Sequence, residues 1–372
     1  MSVPMIDLVR DQAQLAELEV AVVRVLRSGQ YILGPEVENL EKELAAYLDC
    51  KHVLAMSSGT DALLAALMAL GIGPGDEVVL PTYSFFATAG VVARVGARPV
   101  FVDVEAEHWN IDPQRLAAAL AKCRRARAVI GVHLFGAPFA AAAVLAICQQ
   151  AGVPLIEDAA QAIGTRLDGR SCGSFGLCSG WSTFPTKNLG GLGDGGFLST
   201  NDAEFAQRCR LLRNHGQAEQ YRHVVVGGNF RMDALQAAPL RVKLRAIEQI
   251  TAQRRQNAAR YRQLFAQAGL LDRLALPADV ADRHAYHQFV VRVPAPDRDR
   301  LLQYLRQQGI GCAVYYPLPF HRQPCFDYLG HAAAEFPVAE QAAATALALP
   351  IFQGLKEAEQ IEVVGAIARF HR

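Results

Sequence analysis

The segment His52-Val-Leu-Ala-Met-Ser-Ser-Gly-Thr-Asp-Ala-Leu-Leu-Ala-Ala-Leu-Met-Ala-Leu70 joins a short β-rich run to an alanine- and leucine-rich run that favours a helix. Short apolar runs and longer helical runs continue to alternate downstream. This alternation predicts βαβ units and an α/β fold with a mainly parallel, mixed sheet flanked by helices. The predicted strands are His52–Met56, Glu77–Pro81, Pro99–Val104, Ala128–Phe135 and Pro154–Glu157, and the first intervening helix is Asp61–Leu70.

The sequence pattern changes after Asn229. A long helical pattern, Met232–Phe265, is followed by shorter segments that predict a smaller α/β domain. We therefore predict a large domain over residues 1–246 and a small C-terminal domain over residues 247–372. The predicted elements of the small domain are the strands Gln288–Val293 and Gly311–Tyr315 and the helices Asp297–Gln308 and Phe336–Leu347.

Composition argues against several classes of protein. The 372 residues include 37 basic and 36 acidic side chains, a net charge of +1. This near balance leaves no excess of basic charge, so neither nucleic acid nor a membrane is expected as a partner. The eight cysteines show no C-x-x-C spacing, so no metal site is expected. The N-terminal stretch Met1-Ser-Val-Pro-Met-Ile-Asp-Leu lacks an apolar signal core, and we expect a cytoplasmic protein.

Lys187 is the first candidate for chemistry. It stands between a short strand and a glycine-rich loop, in Trp181-Ser-Thr-Phe-Pro-Thr-Lys187-Asn-Leu-Gly-Gly-Leu-Gly-Asp-Gly-Gly196. Burial would lower the pKa of its amine, and a neutral amine can attack an aldehyde carbon to form a covalent bond. On this segment alone, an ordinary surface lysine is an equally good interpretation.

Asp158 is the second candidate. It ends an apolar strand pattern in Val153-Pro-Leu-Ile-Glu-Asp158-Ala-Ala-Gln161, and ligands of parallel sheets bind beyond such strand ends. A carboxylate there can pair with a protonated pyridine nitrogen and so make that ring a sink for electrons. Taken alone, however, the residue is better interpreted as the N-cap of a following helix, because aspartate is preferred at that position.

A phosphate site is predicted where the first strand turns into the first helix, at Ser57-Ser-Gly-Thr-Asp-Ala-Leu63. A helix N-terminus offers free N–H groups and binds phosphate without a basic side chain. The same pattern is also typical of any helix start.

A dinucleotide site is disfavoured. Gly191-Leu-Gly193-Asp-Gly-Gly196 matches the G-x-G-x-x-G spacing, but the next residues, Phe197-Leu-Ser-Thr200, favour a strand. That fingerprint requires a helix at this point, so a nicotinamide oxidoreductase is not expected.

Seven motifs in this order resemble the DegT/DnrJ/EryC1/StrS family of nucleotide-sugar aminotransferases, which have the aspartate-aminotransferase fold, type I of the pyridoxal-phosphate-dependent transferases. The resemblance covers nearly the whole chain. The motifs are Ser28-Gly-Gln-Tyr-Ile-Leu-Gly-Pro35, Ser58-Gly-Thr-Asp-Ala-Leu63, Pro81-Thr-Tyr-Ser-Phe-Phe-Ala-Thr88, Glu157-Asp-Ala-Ala-Gln161, Phe184-Pro-Thr-Lys-Asn-Leu-Gly190, Gly228-Asn-Phe-Arg-Met-Asp233 and Tyr315-Tyr-Pro-Leu-Pro-Phe-His321.

The resemblance implies pyridoxal 5'-phosphate as the cofactor. By that resemblance, Lys187 would carry the cofactor and move the proton, Asp158 would pair with the ring nitrogen, and Gln161 would lie near the ring hydroxyl. Phe85 would stack on the ring. The phosphate would be held by Gly59, Thr60 and Ser182 of one subunit and by Asn229 of the other.

Sharing of the phosphate between subunits implies a homodimer with shared active sites. The residues implied on the substrate side are Tyr31, Arg231, Tyr316 and His321. A histidine such as His321 can equally be structural.

The implied reaction is a ping-pong transfer of an amino group, with glutamate as the donor and a nucleotide-linked keto-hexose as the acceptor. His215-Gly-Gln and Val226-Gly-Gly-Asn-Phe-Arg-Met resemble members that act on 3-keto sugars. The 4-keto alternative and the choice between thymidine and uridine diphosphate stay open. Two rivals are a sugar dehydratase of the same fold, which carries histidine in place of Lys187, and a cofactor-binding regulator, which would carry a further DNA- or ligand-binding module.

Overall fold

The structure, a computed structural model, describes residues 2–10, 12–278 and 283–372. Several helices begin where a polar side chain accepts a backbone N–H of the first turn, as Ser58, Asp112 and Asp202 do. The α-helices are α1 (Gln12–Ser28), α2 (Pro35–Leu48), α3 (Gly59–Ala69), α4 (Ala87–Arg94), α5 (Pro113–Leu120), α6 (Ala141–Ala151), α7 (Ala203–Arg213), α8 (Ala234–Leu244), α9 (Ile247–Gln267), α10 (Ala295–Gln307), α11 (Pro337–Thr345) and α12 (Glu357–Phe370).

Within the described ranges, the strands form one large sheet and three small two-stranded ones. The strands are β1 (His52–Met56), β2 (Glu77–Pro81), β3 (Arg98–Val102), β4 (Ala126–Val132), β5 (Leu155–Asp158), β6 (Arg166–Leu167), β7 (Arg170–Ser171), β8 (Cys178–Ser182), β9 (Gly196–Thr200), β10 (Gln217–Glu219), β11 (Arg222–His223), β12 (Phe289–Arg292) and β13 (Ala346–Leu349).

The large sheet has seven strands in the order β1-β9-β8-β5-β4-β2-β3. Only β9 runs against the other strands of this sheet, because it pairs antiparallel with both β1 and β8 while the remaining pairs are parallel. The central strands of the large sheet, β5, β8 and β9, are buried on both faces, as expected for a mainly parallel sheet covered by helices. The prediction of a mixed, mainly parallel α/β sheet is confirmed.

The carboxyl ends of β1, β2, β5 and β8 meet at one edge of the sheet, because these strands share a direction. The segments that follow them carry most of the candidate site residues. They are Ser57–Thr60, Thr82–Phe86, Ala159–Gln161 and Thr183–Lys187. This edge is where ligands bind in open α/β sheets.

The C-terminal part builds a second hydrophobic cluster. In it, β12 pairs antiparallel with β13, and α9, α10 and α12 contribute buried residues such as Tyr261, Leu301 and Ile367. Val3 joins the same cluster and bridges Ile310, so the N-terminal segment packs against the C-terminal part of the chain. The boundary near residue 247 stays a prediction.

Three sequence predictions in this part were wrong in detail. The single helix Met232–Phe265 is two helices, α8 and α9, because α8 packs on α1 and α2 while α9 packs on α12. The expected strand Gly311–Tyr315 makes one isolated bridge, Ala313 to Ala348. The expected helix Phe336–Leu347 ends at Thr345, because its last residues join β13 and pair with β12.

Candidate active site

Lys187 lies in the loop between β8 and β9. Its backbone N–H donates to the Phe184 carbonyl (2.8 Å), and the loop is closed by a bond from Gly191 N to the Thr183 carbonyl (2.7 Å). Burial lowers the pKa of the Lys187 amine to about 8, and the charge of Asp158 opposes that shift. The interpretation of Lys187 as an ordinary surface lysine is therefore not supported.

The two carboxylates that end β5 point to opposite faces of the sheet, as neighbouring strand residues must. On one face, Glu157 bonds His133 Nε2 (2.8 Å) and accepts the backbone N–H groups of Gly173, Phe175 and Gly176 (2.8, 2.7 and 2.7 Å). On the other face lies Asp158, whose charge acts on the Lys187 amine.

Asp158 does not cap a helix. In the part of the chain that the structure describes, β5 leads into a turn at Ala160–Gln161, and the next α-helix is α7. Burial raises the pKa of the Asp158 carboxyl, while hydrogen bonds from Thr88 and the Ala160 N–H and the charge of Lys187 lower it. The interpretation of this residue as an N-cap is wrong.

The turn from β1 into α3 forms a cradle beside β8. Gly59 and Thr60 are the first two residues of α3, at helical positions whose N–H groups have no intrahelical acceptor. A Cβ on Gly59 would lie 3.0 Å from both the Ser182 Cβ and the Trp181 carbonyl oxygen, so any larger residue would require β8 to give way by a few tenths of an ångström. Free N–H groups at a helix N-terminus beside the Ser182 hydroxyl suit a phosphate.

The amide of Gln161 and two aromatic side chains, Tyr316 and Phe85, form a connected cluster near Asp158. Gln161 accepts the Phe135 N–H (2.6 Å) and donates to the Tyr316 hydroxyl (3.1 Å). The Tyr316 ring is 6.1 Å from the ring of Phe85, which is 54% exposed. An exposed aromatic face in this position is free to stack on a flat ligand.

The remaining predicted residues are more dispersed. Arg231 bridges Met56 through its backbone, which brings it to the cradle, and its side chain donates to Asn214 Oδ1 (2.6 Å). Asn229 is exposed on the segment before it, and the exposed Tyr31 donates to the Leu26 carbonyl (3.3 Å).

His321 has protein partners at both ring nitrogens. Its Nε2 lies 2.9 Å from Glu340 Oε1 and its Nδ1 lies 2.9 Å from Thr82 Oγ1. An ionised carboxylate only accepts, so Nε2 carries the proton and Nδ1 accepts from the Thr82 hydroxyl. This arrangement favours the structural interpretation of His321, and its role toward the substrate stays a prediction.

Sequence reasoning missed two residues that hold the site. Thr88 Oγ1 donates to Asp158 Oδ2 (2.7 Å), and the Tyr83 hydroxyl donates to the Tyr315 carbonyl (2.8 Å) and accepts the Tyr316 N–H (2.7 Å). Both lie in the motif Pro81–Thr88, but their partners are 70 residues or more away in the sequence. The sequence signal that could have identified Thr88 and Tyr83 was their place in a motif that follows the end of a strand.

The arrangement fits pyridoxal 5'-phosphate. The desolvated amine suits its aldehyde, the buried carboxylate its ring nitrogen, and the cradle at Gly59 its phosphate. Among the described residues, no cluster of histidine, cysteine or carboxylate side chains could hold a metal ion. Fold and site thus define a pyridoxal-phosphate-dependent enzyme of the type I fold.

The chain belongs to the DegT/DnrJ/EryC1/StrS aminotransferase family, which it matches over residues 13–368. The pleiotropic regulatory protein of Geobacillus stearothermophilus is 46% identical to it, over 100% of this chain and 99% of that protein. The UDP-N-acetyl-3-dehydro-α-D-glucosamine 3-aminotransferase of Acidithiobacillus ferrooxidans is 41% identical, over 99% of this chain and 97% of that protein.

A solved structure shows the same fold at full length. The crystal structure of S. venezuelae DesV in complex with a ketimine intermediate has a TM-score of 0.94 and 38% identity, and covers 99% of this chain and 98% of that chain. The protein is therefore a pyridoxal-phosphate-dependent sugar aminotransferase. In the described ranges, no helix is both long and apolar enough to cross a membrane.

Proposed function

We propose that this aminotransferase moves an amino group from glutamate to the C3 keto position of a nucleotide-linked hexose, in amino-sugar biosynthesis. The observation that carries the proposal is that the Lys187 amine, whose pKa burial lowers to about 8, lies within electrostatic reach of the buried Asp158 carboxylate at the sheet edge. When bound, the cofactor supplies a carbonyl that takes up the amino group and a ring that withdraws electrons.

In this proposal Lys187 and Asp158 have different catalytic roles. Lys187 would hold the cofactor covalently, and its amine would take up the proton of the donor Cα as general base and give it back as general acid. Asp158 holds the ring nitrogen protonated by its charge. For the sugar half of the ping-pong cycle, Lys187 moves the proton in the reverse direction.

Other residues bind and orient. We assign Gly59, Thr60 and Ser182 to the phosphate, Phe85 to the ring face and Gln161 to the ring hydroxyl. The sugar side is assigned to Tyr31, Arg231, Tyr316 and His321. Contact between Gln161 and Tyr316 supports a continuous surface from the ring to the sugar side.

We expect turnover with a 3-keto nucleotide hexose and little with the matched 4-keto hexose. The name of the Acidithiobacillus relative, a 3-dehydro sugar 3-aminotransferase, supports this choice. The measurement is formation of 2-oxoglutarate and amino sugar from glutamate with 3-keto and 4-keto hexoses, each linked to UDP and to dTDP.

Lys187→Ala protein and replacement of glutamate by alanine are the controls for that experiment. Turnover with 4-keto sugars alone would overturn the C3 assignment, and equal turnover with alanine would overturn glutamate as the preferred donor. A protein that binds the cofactor but aminates none of the four sugars would favour the regulator.

We further propose a homodimer whose sites are shared, with Asn229 reaching the phosphate of the partner subunit. Asn229 is exposed, and it lies next to the exposed run Val224–Val226 and the small β10–β11 hairpin, with Val226 89% exposed. Apolar side chains that face water in this way mark an interaction surface.

Sharing predicts complementation between two defective chains. Lys187→Ala and Asn229→Ala chains are unfolded together in equal amounts and refolded, so that about half of the dimers are mixed. One site of a mixed dimer carries both defects, and the other carries neither. Activity should therefore rise to roughly a quarter of the wild-type level. No rise, with mixed dimers formed and both parents defective, would mean that Asn229 serves its own subunit.

We also propose a cytoplasmic location and retain the domain boundary near residue 247. All eight cysteines are free in the described residues, which is typical of a reducing compartment. The division between α8 and α9 supports the boundary.

A further inference from the structure

Behind Asp158 lies a short chain of buried hydroxyl groups. Thr88, the second residue of α4, is fully buried and donates from Oγ1 to Asp158 Oδ2 at 2.7 Å. Ser84, also buried, has its Oγ 3.1 Å from the Oγ1 of Thr88. Neither residue is assigned a contact with the cofactor or the substrate in the function proposed above.

The direction of these hydrogen bonds follows from the charge of Asp158. An ionised carboxylate has no proton to donate, so the Thr88 hydroxyl donates to it. Thr88 has one hydroxyl proton, so the Ser84 hydroxyl donates to Thr88. The protons of Ser84 and Thr88 thus point in sequence toward the carboxylate, and each bond strengthens the next.

The two oxygens of Asp158 have different donors. Oδ2 accepts the Thr88 hydroxyl, and Oδ1 accepts the backbone N–H of Ala160 at 3.2 Å. Two donors on two oxygens fix the plane of the carboxylate. Because Thr88 is on α4 and Ala160 is on the turn after β5, the orientation depends on two separate parts of the fold.

Charged and titratable groups on other elements also act on the Asp158 carboxyl through their charge. Burial raises the pKa of Asp158, and the Thr88 hydrogen bond is the strongest influence in the opposite direction, followed by the Ala160 N–H, Lys187 and His133. Tyr316, in the C-terminal part of the chain, lies within electrostatic reach of Asp158. Loss of the Thr88 hydroxyl therefore leaves Asp158 Oδ2 without its hydrogen-bond donor, and the neighbouring charges do not restore that bond.

We propose that Thr88, supported by Ser84, is a positioning residue that keeps the Asp158 carboxylate charged and oriented toward the ring nitrogen of the cofactor. The inference rests on the proposed role of Asp158. It adds that the pairing of Asp158 with the ring depends on a hydroxyl that is 70 residues away in the sequence.

The test compares Thr88→Val, Thr88→Ser and Ser84→Ala with the wild type. Valine keeps the branched shape and removes the donor, while serine keeps the donor. We expect Thr88→Val to weaken binding of pyridoxal 5'-phosphate to the cofactor-depleted full chain by about tenfold or more, since the lost bond is to a charged group. Thr88→Ser should stay within about threefold of wild type, and Ser84→Ala should fall between the two.

A second measurement separates positioning from a structural role. Without Thr88 the pKa of Asp158 rises further, so cofactor affinity should be lost at a higher pH in Thr88→Val than in wild type as the pH is lowered. Steady-state kinetics should show a lower kcat with little change in KM for the sugar.

Thr88→Val with wild-type affinity, pH dependence and kcat would overturn the proposal, and so would Thr88→Ser as defective as the valine variant. If Thr88→Val does not fold, Ser84→Ala provides the test. Wild-type affinity, pH dependence and kcat in Ser84→Ala would then overturn the proposal. Asp158→Asn is assayed in parallel. Normal turnover in Asp158→Asn would contradict the proposed function itself, whereas a defect there beside a normal Thr88→Val contradicts only the role of Thr88.

Discussion

Replacement of Lys187 with alanine should leave a folded protein that does not turn over. The amine that holds the cofactor and moves the proton is then missing, and general acid–base catalysis alone contributes roughly 10²–10⁴-fold. The expected loss is at least of that size. It is measured as 2-oxoglutarate release from glutamate, together with the absorbance of the covalently bound cofactor, which the variant should lack.

Borohydride reduction locates the attachment point directly. Reduction of wild type should leave the cofactor on the peptide that contains Lys187, and reduction of Lys187→Ala should leave none. Lys243 gives a matched control, because it is also partly buried and donates to the Gly190 carbonyl of the same loop (2.7 Å). Lys243→Gln should keep the label, and recovery of the cofactor on a peptide without Lys187 would contradict the assignment.

Asp158→Asn should bind the cofactor and transaminate far more slowly. An amide cannot hold the ring nitrogen protonated by charge, and the loss of one partner of a buried charge pair costs about 3–5 kcal/mol. If that cost falls on the transition state, turnover drops by roughly 10²–10³-fold or more. The measurement is the rate of the glutamate half-reaction in a single turnover, with the fraction of bound cofactor determined separately.

Asp202→Asn is the matched control for this variant. Asp202 also follows a strand, but its side chain caps α7 by accepting the Phe205 N–H (2.8 Å). Asparagine is as good a cap as aspartate, so Asp202→Asn should be close to wild type in activity and stability. An Asp158→Asn protein as active as Asp202→Asn would remove Asp158 from the chemistry.

The first half of the fold was predictable because its signals are local. The runs that form β1 and β2 are apolar and β-rich over a few residues, and the structure has them at the predicted bounds. The strand pattern of Phe197–Thr200 argued against a dinucleotide site, and the structure has strand β9 at these residues. Lys187 could be singled out because a lysine between a strand and a glycine-rich loop is visible in one short segment.

Other features could not be predicted from local pattern. The helical periodicity of residues 232–265 continues across Arg245 and Ala246, yet α8 and α9 pack on different partners and the helix breaks between them. His321 stands in a motif with substrate-side residues, but its ring lies between Thr82 and Glu340.

The sequence by itself determined the alternation of strands and helices and the positions of Lys187, Asp158 and the turn at Gly59 at strand ends. Only the tertiary structure decided that the charge of Asp158 acts on Lys187 while Glu157 pairs with His133, and that Thr88 donates a hydrogen bond to Asp158. The physical reason is that residue types and periodicity encode local conformation, whereas these contacts depend on the order of the strands across the sheet. That order brings β5 beside β8, although the two strands are separated in the sequence by β6 and β7.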